Sequence, residues 1–257
     1  MNIERILAPN PGPYTGPGTN TYLVGDDRGL AVIDPGPIEA SHEAAIVAAV
    51  GTRVVTAVVV THTHPDHAPL ANPLARLLGV TAYGYAPGPE FDPDIRLGDG
   101  AIAPAGGVEL VAVHTPGHAD DHLCLKAGGA LFTGDHIMGG SSVMVERLGP
   151  YMASLERLQP MDIERLYPGH GPEMDQPAEV ISWYLAHRRQ REAEILAAVR
   201  SGCHTIEAIV EVVYAQVDSS LHPLAAKSVA AHLEKLVEEG LVVGDKRFVC
   251  ADGSRPE

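Results

Sequence analysis

The segment Thr61–His67 reads THTHPDH, directly behind the apolar run Val58–Val60. Few other features constrain a fold as tightly. A strand sends side chains i and i+2 to one side, so His62 and His64 point the same way where the run ends. Pro65 turns the chain, and Asp66 and His67 swing back toward the same point. Imidazole and carboxylate at this density suit zinc, or another divalent first-row ion such as manganese or iron(II). A lone loop histidine is ordinarily polar filler; H-x-H-x-D-H behind a buried strand is a metal motif. Two ions suit these four side chains better than one, with His62 and His64 on the first and Asp66 and His67 on the second. Each ion then needs donors from elsewhere.

The chain offers such donors three times. VELVAVHTPGH delivers His118, ALFTGD delivers Asp135, and IERLYPGHG delivers His170. Each time an apolar strand ends in a glycine turn and presents one metal-competent residue. Donors at the same ends of several strands converge on one rim of a sheet.

THTHPDH, TPGH, TGD and PGHG, in that order and with Asp34 of VIDPG ahead of them, closely resemble the metallo-β-lactamase superfamily. The resemblance implies an α/β fold, a four-layer αββα sandwich with the metals at one edge. It also implies the ligand sets: His62, His64 and His118 on one zinc, Asp66, His67 and His170 on the other, and Asp135 bridging. Asp34 becomes a buried orienting residue. NPGPYTGPGTNTYLVG and the helical tail are similar to the branch that includes a mitochondrial single-strand endoribonuclease. Where many relatives carry a glycine pair after the histidine motif, this chain has Ala68-Pro69-Leu70, which bears on the neighbouring substrate loop.

Two zinc ions hold water between them and lower its pKa toward 7, so the expected nucleophile is a bridging hydroxide, oriented by Asp66. Esters, thioesters, lactones, β-lactams and phosphodiesters all suit this chemistry. A bridging aspartate, with no secretion signal at the N-terminus, argues against a dedicated β-lactamase.

Other residues have weaker claims. His136, directly after Asp135, is expected to face substrate. Gly139-Gly140-Ser141-Ser142 can offer backbone N–H groups to an oxyanion, with Ser141 in the substrate site, or form a plain loop. His114 reads as a packed histidine. His122, with Asp120-Asp121, either orients a ligand imidazole or lies in a solvated loop. His187, Arg188, Arg189 and Arg191 form a basic run on a long helix. It reads either as a solvated face paired with Glu192 and Glu194, the preferred reading for the arginines, or as a phosphate or carboxylate clamp.

The pattern divides the chain into a catalytic unit, residues 1–176, and a tail, residues 177–257. Residues 21–34 read as a hairpin with its turn at DDRG, followed by a helix in IEASHEAAIVAAV and a strand in VVTAVVVT. The helix after the motif is expected to be regular only beyond Pro73. VTAYGYA, VELVAV, HLCLKA, ALFT and IERLY are further strands. In the tail, Thr205 caps a helix, Gly240 ends another, and LVVGDKRFVCA reads as a hairpin, which is a winged-helix layout.

Among the 257 residues, those up to Asp175 include 9 basic and 21 acidic, a balance of −12, and the tail adds −3. This field repels nucleic acid and anionic membranes. Three separated cysteines and no long apolar segment point to a reduced, cytoplasmic protein off the membrane. The leading expectation is a dizinc hydrolase of a small or medium ester, thioester or lactone. A single-strand endoribonuclease acting on RNA is the alternative, and a winged-helix metal- or ligand-sensing regulator is a third. The third is disfavoured because the would-be recognition helix carries only Lys227 and Lys235 against Glu234, Glu238 and Glu239. That helix is expected to wall the cleft or support a homodimer.

Overall fold

The computed structural model describes residues 1–139 and 142–251. Strands β1 (Asn2–Leu7), β2 (Asn20–Asp26) and β3 (Gly29–Ile33) pair antiparallel. Helix α1 (Ala40–Val50) crosses to β4 (Val55–Val59), and α2 (Ala71–Leu78) crosses to β5 (Ala82–Gly84). With β6 (Ile95–Arg96), these strands complete a sheet in the order β1-β2-β3-β4-β5-β6. A second sheet takes β7 (Ile102–Ala105), β8 (Val108–His114), β9 (Leu123–Ala127) and β10 (Ala130–Gly134). Helix α3 (Leu148–Leu158) precedes its last members, β11 (Arg165–Pro168) and β12 (Met174–Asp175).

The pleat explains the layers. Along β4, Ala57 and Val59 point between the sheets, where they meet Leu110, Leu125 and Phe132. Val58 points outward against Ile46 of α1 and Leu74 of α2. Both faces are covered, so the strand is a continuous apolar run. The outer face of the second sheet, with Cys124, Leu131 and Leu166, packs on Tyr151 and Leu155 of α3. The result is a four-layer αββα sandwich. Each fully buried Leu or Val of these layers contributes about 1.5–3 kcal/mol.

Helix α4 (Pro177–Arg200) belongs to two cores. Ile181, Tyr184 and Leu185 pack with the sandwich, whereas Ile195, Ala198 and Val199 pack with the tail. The tail core is completed by α5 (Ile206–Val213), α6 (His222–Glu238) and a short hairpin of β13 (Val242–Val243) and β14 (Val249–Cys250). Thr205 Oγ1 accepts the Ala208 N–H as a helix cap, and Gly240 takes φ +69° just past α6. No helix among the described residues is long and apolar enough to cross a membrane.

Two local expectations need correction. Helix α2 begins at Ala71, ahead of Pro73. The proline sits in the first turn, where an N–H has no intrahelical acceptor to lose. Helix α3 and the edge strands β1, β6, β7 and β12 were not anticipated. Gly149 and Pro150 mask α3, and β1 is largely solvent-facing.

Candidate metal centre

Strand direction gathers the donors. In the first sheet β3 and β4 run parallel, so Asp34 and His62 leave at the same edge. In the second sheet β8 and β10 are each antiparallel to β9, and β11 is parallel to β10. The turns carrying His118, Asp135 and His170 therefore leave together. Hydrogen bonds from Leu123 N to Thr61 O at 2.7 Å and from Asn20 N to Gly169 O at 2.7 Å tie the two edges together.

The seven expected ligands fall into two groups: His62, His64 and His118, then Asp66, His67, Asp135 and His170. Within each group the donor atoms lie within 4.8 Å of one another. His64 Nδ1 stands 3.0 Å from both His62 Nε2 and His118 Nε2. His67 Nε2 and His170 Nε2 are 3.2 Å apart, and Asp66 Oδ2 is 3.0 Å from His170 Nε2. Asp135 faces both groups. Its Oδ2 is 3.6 Å from His118 Nε2, and its Oδ1 is 3.4 Å from the Nε2 atoms of both His67 and His170. Glycine is required beneath it, because a Cβ at Gly169 would lie 2.6 Å from His67 Cε1 and 2.7 Å from Asp135 Oδ1.

The outer nitrogens set the tautomers. His118 Nδ1 donates to Met144 O, His170 Nδ1 to Gly18 O, and His67 Nδ1 to Asp34 Oδ2. Thr61 Oγ1 gives its proton to Asp34 Oδ2 and so accepts from His62 Nδ1. All four imidazoles therefore turn Nε2 inward, where it carries a lone pair whenever the ring is neutral. Asp135 Oδ1, buried and converging on the same point, makes no hydrogen bond. Inward lone pairs beside an orphaned carboxylate oxygen repel unless protons or cations lie between them. The donor set fits two divalent ions.

Protonation follows the same split. Burial opposes charge on His67, but the Asp135 and Asp34 carboxylates outweigh it and hold its pKa well above the usual range. His170 is likewise pushed up to about 9, Asp135 and Asp66 overcoming burial. Burial would raise Asp135, yet His67 and the other imidazoles hold it well below the usual range. In the first group, burial and the neighbouring histidines push His62 well down, and burial also lowers His118.

Asp34 is buried and takes φ +47°, a left-handed conformation that aspartate tolerates better than most residues. Its Oδ1 also accepts the Thr61 N–H at 2.7 Å. His122 is fully buried: its Nε2 accepts the Asp135 N–H at 3.1 Å, and its Nδ1 meets Thr115 Oγ1 at 2.9 Å. It thus orients the Asp135 turn, and the loop alternative is set aside. Its spacing of four after His118, just before apolar Leu123, was the available signal. His114 stacks on Tyr85 with centroids 4.2 Å apart, away from both groups.

His136 corrects its expectation. Its ring is fully buried against Tyr151, with centroids 4.7 Å apart, and burial pushes its pKa down to about 3. The left-handed turn at Gly134 (φ +45°) brings Asp135 to the cleft and sends the next side chain into the core. Ser141 lies outside the described residues. His187 lines the cleft and stacks on Trp183. Ala68 and Leu70, which replace the glycine pair of many relatives, are buried against the outer face of the first sheet.

Four of the donors, His64, Asp66, His118 and Asp135, form the floor of a cleft of about 1120 Å³. Its walls come from the Pro13–Thr15 loop, from Met138 and Val143, and from Leu224, Ala225 and Ser228 of α6. The tail therefore faces the metal centre directly. A smaller cavity of about 410 Å³ reaches His64 from the other side, beside Glu90, Asp120 and Asp121.

Residues 14–170 match the metallo-β-lactamase superfamily, and residues 205–248 match the β-lactamase-associated winged helix domain. A Drosophila melanogaster β-lactamase-like protein 2 homolog is 34% identical over 93% of this chain and 89% of its own. An Aspergillus chevalieri atrochrysone carboxyl ACP thioesterase is 33% identical over 95% of this chain and 82% of its own. A metallo-β-lactamase family protein from Thermus thermophilus superposes with a TM-score of 0.80 at 23% identity, covering 96% of this chain and 98% of that one, a likeness of fold. The chain belongs to the metallo-β-lactamase superfamily, with the associated winged helix at its C-terminus, and is a metal-dependent hydrolase.

Proposed function

We propose that this superfamily member is a binuclear zinc hydrolase whose substrate is a small or medium acyl thioester. The observation that carries the reading is Asp135, whose two oxygens face one donor group each at the floor of a largely apolar cleft. His62, His64 and His118 would hold one ion, Asp66, His67 and His170 the other, with Asp135 shared. When bound, the ions supply Lewis acidity and a nucleophilic water at neutral pH. The protein's own part is to orient and enclose. Asp34, Thr61 and Met144 O fix the imidazoles, and His122 fixes the Asp135 turn. Asp66, about a quarter exposed, is the carboxylate of the second group that reaches toward the cleft. It can accept a proton as water attacks. Met138, Val143, Leu221 and Leu224 give an acyl chain an apolar path.

The thioesterase name of the Aspergillus relative supports the substrate class. Two observations disfavour the rivals. Arg189 pairs with Glu156 at 2.7 Å away from the cleft and Arg191 pairs with Glu194 at 3.0 Å, which leaves the run no row of unpaired arginines for a chain of phosphates. Helix α6 turns Leu224, Ala225 and Ser228 to the cleft, which takes that face away from DNA. The test is a parallel screen of zinc-loaded protein with acyl thioesters, esters, lactones, a chromogenic cephalosporin and RNA oligonucleotides. Thioester turnover that vanishes in His62→Ala is expected. Protein carrying two ions per chain that spares every thioester but cleaves RNA would overturn the reading.

A further inference from the structure

Arg188 is the only lysine or arginine among the described residues that is almost fully buried, at 3% exposure. Its Nη2 donates to Val143 O, and its guanidinium lies 5.3 Å from the centroid of the Tyr151 ring. Its Nε is buried without an acceptor. No carboxylate among the described residues comes within ion-pair distance of it. Its neighbours on α4 differ: Arg189 holds Glu156, and Arg191 holds Glu194 at 3.0 Å while stacking on Tyr214.

Arg188 also lines the cleft. Lys227 of α6 lines the same cleft, exposed and likewise without an acid partner among the described residues. The acids that line the cleft away from the metal donors, Glu146 and Glu234, are exposed and pair with neither cation. A charge taken out of water without a counter-charge is costly by several kcal/mol. Holding the Val143 carbonyl does not require that charge, since a neutral amide would serve as well. A guanidinium presents a fork of donors matched to carboxylate and phosphate.

We propose that Arg188, with Lys227, forms an oxyanion-binding subsite on the winged-helix side of the cleft, taking a carboxylate or phosphate carried by the substrate. The substrate assignment rests on the thioester reading; the subsite itself is testable without it. The metal donors and the subsite then grip one molecule at two points, so the anion positions the reacting acyl carbon over the floor.

Trp183, the only tryptophan, stacks on cleft-lining His187 and reports binding by fluorescence. Inorganic phosphate and glutarate are titrated into wild type, Arg188→Lys, Arg188→Met, Lys227→Ala and His62→Ala. Both cation-removing variants should weaken binding, Arg188→Met by about tenfold or more and Lys227→Ala by a few-fold. His62→Ala should retain it, because that change disturbs the metal donors only. Unchanged affinity in Lys227→Ala and in both Arg188 variants would overturn the subsite, as would binding that is lost in His62→Ala. If Arg188→Met does not fold, Arg188→Lys and Lys227→Ala decide the matter between them.

Two substrate pairs then locate the anion. One compares butyryl with glutaryl thioesters of N-acetylcysteamine; the other compares acetyl-pantetheine with acetyl-4′-phosphopantetheine. The charged member of one pair should be preferred by about tenfold in kcat/KM, mainly through KM, with the preference lost in Arg188→Met. Equal rates within both pairs, or a preference that survives both changes, would overturn the proposal. Failure to cleave any thioester would refute the thioester reading, while the fluorescence titrations still decide the subsite.

Discussion

The two donor groups sit side by side beneath one cleft, yet their charges differ. His62, His64 and His118 are three imidazoles, and burial disfavours the charged form of His62 and His118. Asp66, His67, Asp135 and His170 mix imidazole with carboxylate, and Asp34 adds another acid behind His67. There the acids stabilise imidazolium. Without ions, carboxylates favour added protons in the second group, whereas burial disfavours charge on His62 and His118 in the first. The difference implies that two ions bound here would meet unlike donor sets, and so bind with separate affinities while sharing Asp135.

The largest effect should come from removing that joint. Asp135→Asn keeps the shape and takes away the charge shared by both groups. Hydrolysis should fall by about 10²–10³-fold or more, and metal analysis should show loss from both sites. Loss of one ion only, with the other bound as tightly as before, would break the picture of a shared ligand.

Acidification should separate the groups next. With His170 at about 9 in the ion-free protein, an ion entering the second group must displace a proton at any lower pH. Affinity there should drop by ~10-fold per pH unit for each proton displaced as pH falls below that value. His62 and His118 lie below the ordinary histidine range, so between pH 9 and 7 they hold no proton to displace. Calorimetry in buffers of different ionisation enthalpy counts the released protons. Equal release from both sites would erase the contrast.

Asp34→Asn sharpens it further. The change removes the charge in direct contact with His67, whereas it reaches the first group only through Thr61 and His62. Affinity for the second ion should fall by ~10–100-fold, with a smaller loss at the first. The smallest effect expected is that of His122→Gln, which disturbs only the hydrogen bond to the Asp135 backbone. A loss of a few-fold up to ~10-fold in kcat at unchanged metal content is expected. A larger loss accompanied by loss of an ion would mean that His122 shapes the ligand set itself.

Much of this centre is legible in the sequence because its chemistry is local. THTHPDH is contiguous, and each remaining donor follows an apolar strand and a glycine turn. The supporting contacts are less legible because they join distant segments. Gly18 O meets His170, and Met144 O meets His118; backbone carbonyls leave no residue-type signal. His136 misleads because its neighbour Asp135 is a ligand, and only the φ of Gly134 tells which way the next side chain turns. Arg188 misleads in the opposite sense. It stands in the charged run HRRQRE, which reads as a solvated face, and its burial depends on contacts with distant Val143 and with Tyr151 of α3. The fold class is readable from alternating apolar strands and helices, whereas α3, carrying Gly149 and Pro150, and the exposed edge strand β1 lack that contrast.

Helix α4 carries a further consequence. Its 24 residues make a rod about 36 Å long, fixed at one end in the sandwich core and at the other in the winged helix. A wall mounted on such a rod is a strut rather than a door. The position of that wall is then set when the chain folds, so selection by size on the winged-helix side of the cleft would operate as the substrate enters.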